Sequence, residues 1–300
     1  MLISIIGAGC VGSVLAKHLY NAGNDVTLIA VGSRADKLSQ NGLEINGEKY
    51  NIPVAKTDDE KPDLLFVCVK NYDLEQACVD MKSFINKDTI IIPLLNSVSP
   101  TPTIQNLIPE NRVLYGYISK IDAYRDKGEY KYNVPGEIHF GYAKNSTIDN
   151  ELMRILNELR KSGFDAHIDE DMVRGIWKKW MLNVGANQVS ALTEADYLQF
   201  AKIAEIENVL RLAMQELLII ACYENVNLST DDVNETIKYL TTYPFPKRTS
   251  MLQDVLGKRK TEIDYISGDI LKLCQKWNCP CPVNLTMYYL IKSKEKAYLM

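Results

Sequence analysis

An α/β half built on a parallel sheet, followed by an all-helical half, is predicted from three observations. Leu2-Ile3-Ser4-Ile5-Ile6 is a large aliphatic run interrupted once, suited to a strand buried on both faces of a parallel sheet. Gly7, Gly9 and Gly12 follow at once with G-x-G-x-x-G spacing, and Val11, Leu15, Ala16 and Leu19 continue at helical spacing. Beyond Asp169 strand-like patterns stop, and helical periodicity runs almost to Met300. The first two features together describe the opening of a Rossmann-type dinucleotide-binding domain.

The glycines have separate duties. The first makes the tight turn, the second lets backbone approach a pyrophosphate, and the third lets helix and strand pack closely. Free N–H groups at the helix N-terminus then face the phosphates. The segment Gly7-Ala8-Gly9-Cys10-Val11-Gly12 is therefore the predicted cofactor cradle. A plain tight turn has the same spacing, but the flanking strand and helix favour the cradle.

Val26 to Ala30 reads as the second strand of the βαβ unit. NAD-type sites place an acid at the end of this strand to hold the ribose 2′-hydroxyl. Here the chain reads Ala30-Val31-Gly32-Ser33-Arg34, with no acid before Asp36. Ser33, Arg34 and Lys37 would suit a 2′-phosphate, although a solvated turn explains each one equally well. Leu43 to Tyr50 carries an Asn46-Gly47 hairpin turn. Leu64 to Val69 is a buried strand ending at Lys70, Asp73 to Phe84 a helix, and Thr89 to Leu95 a strand leading to Asn96. Lys70 and Asn96 thus fall at the carboxyl edge of the sheet, where open α/β sheets bind ligands. Either could equally be a polar residue that ends a strand.

Short strands are expected from Arg112 to Tyr142 with a turn at Pro135-Gly136, then a helix over Ile148 to Lys161 and a strand over Phe164 to Ile168. This places one domain at 1–168 and a helical domain at 169–300. Breaks in the helical half are expected near Tyr243-Pro244-Phe245-Pro246 and Asn278-Cys279-Pro280. The 34 Lys and Arg against 38 Asp and Glu leave no basic footprint for nucleic acid. Seven scattered cysteines fit reduced thiols. Cys274, Cys279 and Cys281 lack C-x-x-C spacing and a nearby histidine, so no metal is expected. The apolar start is short and runs straight into the glycine loop, and Val209 to Cys222 contains Arg211 and Glu216. A cytoplasmic chain with no membrane partner is the expectation.

In the helical half Lys179, Asn183 and Asn187 stand at i, i+4 and i+8 and share one stripe. Such a stripe usually faces solvent, but asparagine is a poor helix former whose amide offers a ligand both donor and acceptor. Ser250 could cap a helix, and Thr261 with Asp264 could form a capping box around Glu262.

Taken together, these motifs resemble the ketopantoate reductase family nearly end to end. They are the glycine loop, Lys70, Asn96, Val134-Pro135-Gly136-Glu137-Ile138-His139-Phe140-Gly141, Trp177-Lys178-Lys179 with Asn183 and Asn187, Ser250 to Asp254, and Thr261 to Tyr265. The resemblance implies that Lys179 is the general acid and that Glu262 binds the substrate hydroxyl region. It implies that Asn183, Asn187 and Ser250 anchor the substrate, with Asn96 and Lys70 positioning substrate and cofactor. A lysine ammonium suits the reduction of a 2-keto acid, because it can stabilise and protonate the developing alkoxide.

Two departures stand out. Family members commonly have arginine where this chain has Val31, so Ser33 and Arg34 are left to hold the 2′-phosphate of NADPH, and NADH stays open. The glycine that usually follows Asn96 is Ser97 here. The implied activity is NADPH-dependent reduction of 2-dehydropantoate, with the active site expected in the cleft between the domains and a homodimer as the candidate assembly. The alternatives are a D-2-hydroxy acid dehydrogenase acting on another branched or aromatic keto acid, and a catalytically silent dinucleotide sensor.

Overall fold

The computed structural model describes residues 1–243 and 245–300, so Pro244 of the expected helix break lies outside the described residues. The chain divides into two compact units, Met1–Val173 and Arg174–Met300.

The first unit begins with β1 (Leu2–Ile6), α1 (Cys10–Asn21), β2 (Asp25–Ile29), α2 (Gly32–Asn41) and the hairpin of β3 (Leu43–Ile45) and β4 (Glu48–Tyr50). It continues through β5 (Leu64–Val67), α3 (Leu74–Met81), β6 (Ile90–Pro93) and α4 (Pro100–Leu107). Then follow β7 (Tyr115–Ser119), β8 (Asp122–Asp126), β9 (Glu129–Val134), β10 (Glu137–Gly141), α5 (Asn150–Lys161) and β11 (Asp165–His167). The central sheet is parallel with strand order β2-β1-β5-β6. The direction of winding reverses beside β1, which makes the ends of β1 and β5 the switch point where such sheets bind ligands.

Both faces of this sheet are covered, as the aliphatic runs predict. Ile3, Ile5 and Phe66 pack with Leu15 and Leu19 of α1, while Ile6, Leu65 and Val67 pack with Met81 of α3 and Ile104 of α4. Ser4, the one polar residue of β1, is paired in register with Thr27, and their hydroxyls are 2.7 Å apart. The buried hydroxyl is thus satisfied within the sheet.

Two further sheets complete the unit, ordered β11-β10-β7 and β4-β3-β9-β8. The Asn46-Gly47 turn has both residues at positive φ, 49° and 77°, as a tight hairpin requires. Helices α2 and α4 go beyond the sequence reading. Leu38 is the one buried residue of α2, so no apolar stripe marks it. Helix α4 has eight residues and opens on a proline, too short to show a period.

The second unit is helical, from α6 (Met172–Thr193) through α7 (Tyr197–Phe200), α8 (Ala204–Tyr223), α9 (Thr230–Thr242), α10 (Ser250–Leu256) and α11 (Ile263–Trp277) to α12 (Pro282–Leu299). Asn278 ends α11 in the left-handed region at φ 50°, and Pro282 opens α12. The second expected break is accounted for by these two residues. A buried polar network ties α6, α8, α11 and α12 together. Gln188 donates to Asn284 Oδ1 at 2.9 Å and accepts from Ser267, while Asn284 donates to Ala213 O and to Glu216. Among the described residues no helix is long and apolar enough to cross a membrane, and all seven cysteines are free thiols.

Candidate functional site

In the first unit the glycine loop has the geometry its spacing implies. Gly7 has φ +97°, and a Cβ there would lie 2.6 Å from backbone atoms of Cys68 and Val69 at the end of β5. A Cβ on Gly12 would lie 2.1 Å from the Gly7 carbonyl oxygen, so no larger residue lets α1 pack this close to the turn. A Cβ on Gly9 would meet nothing within 4 Å. Gly9 therefore borders open space beside the N-terminus of α1, where no side chain caps the helix and no acid occupies the first turn. That combination of open space and an uncapped, positive helix end fits a pyrophosphate.

At the end of β2 the Arg34 guanidinium folds back on the loop. Its Nη2 donates to the Ala8 carbonyl at 2.8 Å and to the Tyr130 hydroxyl at 3.3 Å, and Tyr130 itself donates to Ala8 O at 2.9 Å. Gly7, Ala8, Val31, Arg34, Asp73 and Asp80 help line a cleft of about 280 Å³. Ser33 is exposed in the first turn of α2, and Val31 beside it is 45% exposed. Tyr130 escaped the sequence reading because nothing in local spacing links a β9 residue to the glycine loop.

Lys70 is half-buried and stands before the short helical turn Asn71–Asp73 that follows β5. Asn96 is half-buried beyond β6. Ser97, in the position of the family glycine, is buried, and its hydroxyl lies 2.9 Å from that of Ser99. It accepts from the Ser99 backbone N–H as well, so the added side chain ties the loop to itself.

In the second unit the polar stripe of α6 is drawn into the protein. Lys179 is half-buried, Asn183 and Asn187 are buried, and the usual solvated-face reading does not apply. Burial pushes the Lys179 ammonium down to about 8, with Glu262 partly opposing the shift as a nearby negative charge. Glu262 precedes α11, is 5% exposed, and makes no side-chain capping bond. The capping-box alternative also fails because Asp264 accepts instead from Tyr288 and Lys292.

Ser250 is not a cap either. Thr249 has that role, its hydroxyl accepting from Leu252 N at 3.2 Å. Ser250 is left exposed, and its hydroxyl donates to Asn187 Oδ1 at 3.4 Å. Asn183 Nδ2 is buried with no hydrogen-bond partner among the described residues. A buried amide donor in that state is costly in isolation, which marks it as a group that a ligand would complete. Lys178, adjacent in sequence, faces another way and pairs with Asp232 at 3.0 Å and Glu235 at 2.6 Å. Lys179 with Glu262, and Asn187 with Ser250, are thus brought together from segments far apart in sequence.

The family described as Ketopantoate reductase PanE/ApbA matches residues 3–145, and its C-terminal counterpart matches residues 171–295. The chain is 26% identical over 311 residues to a 2-dehydropantoate 2-reductase of Pyrococcus horikoshii, covering 98% of each. Among solved structures it resembles a ketopantoate reductase of this family from Ralstonia eutropha JMP134, at 25% identity and TM-score 0.86 over 100% of both chains. It also resembles a D-mandelate dehydrogenase in complex with NADH, at 25% identity and TM-score 0.89 over 99% of this chain and 100% of that one. Since these matches span both units, the chain belongs to the ketopantoate reductase PanE/ApbA family, oxidoreductases that act on CH–OH groups.

Proposed function

We propose that this protein reduces a 2-keto acid with NADPH, and that 2-dehydropantoate is the substrate. The observation that carries the reading is half-buried Lys179 beside the buried Glu262, on the same face of α6 as Asn183, whose Nδ2 has no partner among the described residues. When bound, the reduced dinucleotide supplies a hydride to the carbonyl carbon. Lys179 holds the proton at Nζ and gives it to the carbonyl oxygen as negative charge grows there. Its ammonium, pushed down to about 8, is still largely charged at neutral pH yet gives up its proton more readily than an ordinary lysine. Glu262 keeps that ammonium charged and accepts from the nascent hydroxyl. Asn183 Nδ2 donates to the substrate carboxylate, and the Ser250 hydroxyl turns its one proton from Asn187 Oδ1 to the carboxylate when the substrate binds.

In the first unit Gly7, Ala8, Gly9, Cys10, Val11 and Gly12 hold the pyrophosphate, and Lys70 and Asn96 position cofactor and substrate. Ser33, the Arg34 guanidinium and the open N-terminus of α2 take the 2′-phosphate. The absence of a carboxylate at Ala30-Val31-Gly32 supports NADPH over NADH. The resemblance to D-mandelate dehydrogenase favours a second reading, a D-2-hydroxy acid dehydrogenase that takes a branched or aromatic keto acid. Initial rates on a panel of 2-dehydropantoate, 2-ketoisovalerate, 2-ketoisocaproate and benzoylformate, each with NADPH and NADH, separate the two. The first reading expects the highest kcat/KM for 2-dehydropantoate with NADPH. A higher value for benzoylformate transfers the chain to the second reading.

A further inference from the structure

The three-stranded sheet β11-β10-β7 has two chemically different faces. Ile118, Ile138 and Ala166, at aligned positions, point into the core of the first unit and are at most 2% exposed. Alternation puts the residues on either side of them on the opposite face. There β7 offers Tyr117 and Ser119, β10 offers Glu137 and His139, and β11 offers Asp165 and His167. Two of the three histidines of the chain are thus direct cross-strand neighbours, with Glu137 two residues before one of them. One ligand atom from each of Glu137, His139 and His167 lies within 4.8 Å of the other two.

We propose that Glu137, His139 and His167 form a binding site for a divalent transition-metal cation of the zinc type, separate from the keto acid and dinucleotide chemistry. Two imidazole nitrogens and one carboxylate oxygen are a donor set that such cations favour over magnesium or calcium. The surroundings of His139 match what a metal-ligating histidine requires. Its Nδ1 lies 2.8 Å from Asp169 Oδ1, and Asp169 Oδ2 accepts from the Tyr117 hydroxyl at 2.7 Å. A carboxylate on Nδ1 holds the proton there, which leaves the Nε2 lone pair for a cation. That Nε2 is 3.9 Å from Glu137 Oε2, while Lys120 occupies the other oxygen, Oε1, at 2.7 Å.

Ring stacking fixes the plane of His139 between Tyr117, at 4.4 Å and 4°, and His167, at 4.9 Å and 26°. Asp165, 2.9 Å from His167 Nε2, adds a further negative charge that draws a cation in. With three protein ligands the fourth position of a tetrahedral ion stays open to water. The cation would fasten β11, a three-residue edge strand, to β10.

The test is titration of the full chain with Zn²⁺ in chelator-free buffer against a competing chromophoric chelator, repeated with Co²⁺ for its absorption spectrum. The wild type should bind one Zn²⁺ at this site. His167→Asn and Glu137→Gln, whose side chains are partly exposed, should weaken binding by more than about 100-fold, while Asp169→Asn, which acts through His139, should weaken it by about 10- to 100-fold. Circular dichroism checks that each variant is folded. Wild-type affinity weaker than ~1 mM, equal affinity in wild type and His167→Asn, or a sulfur-to-cobalt charge-transfer band placing the ion on cysteines would each overturn the proposal.

Discussion

Lys178 and Lys179 are chemically identical neighbours, and their surroundings separate them. Lys178 spends its charge on Asp232 and Glu235, whereas Lys179 is desolvated beside Glu262. Lys179→Ala should therefore lower kcat by roughly 100-fold or more, as loss of a general acid does. Lys178→Ala should leave kcat nearly unchanged, since Asp232 keeps Arg174, whose Nη2 donates to both carboxylate oxygens. Equal losses in the two variants would refute the assignment of the acid. The pH dependence follows from the sign of the shift. A general acid works when protonated, so the rate of keto acid reduction should fall as pH rises through about 8. Glu262 raises the Lys179 pKa, so Glu262→Gln should move that fall to lower pH. A pH–rate profile of kcat that keeps its position in Glu262→Gln would show that the two groups are not coupled.

At the scale of elements, α6 is held in place by amides rather than by aliphatic packing alone. Asn284 near the start of α12 accepts from Gln188 of α6 and donates to Ala213 O and Glu216 of α8, while Glu216 also accepts from the N–H groups of Val283 and Asn284. One side chain thus joins three helices, and it is 0% exposed. Asn284→Ala strands one N–H of the buried Gln188 amide and removes a donor from Glu216, and should cost about 1–3 kcal/mol. Urea denaturation should show a lower midpoint with an unchanged slope. An unchanged midpoint would mean that water replaces the lost amide without penalty.

Across the whole molecule, the residues proposed for the dinucleotide lie in one unit and most of those proposed for the keto acid in the other. This division predicts separable defects. Asn183→Ala removes a buried donor and should raise KM for the keto acid by roughly 10-fold, with Kd for NADPH unchanged. Arg34→Ala should weaken NADPH binding by about 10- to 100-fold and barely affect NADH. Cofactor titration by fluorescence checks both variants. If Arg34→Ala weakened the two cofactors equally, Arg34 would be acting through the glycine loop it braces at Ala8, not through the 2′-phosphate.

Some of this was legible in one dimension. The parallel sheet, the glycine turn and the change to helices are written in patterns a few residues long, because aliphatic runs, glycine spacing and helical periods act on near neighbours. The family could be read from motifs in the same way. Helix α2 was not legible, since a helix with a single buried residue shows no apolar period. Sequence patterns also left Ser250 and Glu262 ambiguous between capping and function. Only the fold decided that Thr249 caps α10, that Glu262 caps nothing, and that the stripe turns inward, with Asn183 and Asn187 buried and Lys179 half-buried. The same holds for Tyr130 on Ala8 and for His139 beside His167, pairs 122 and 28 residues apart. Burial and the resulting electrostatics depend on which distant segments arrive at one place, and no local spacing encodes that.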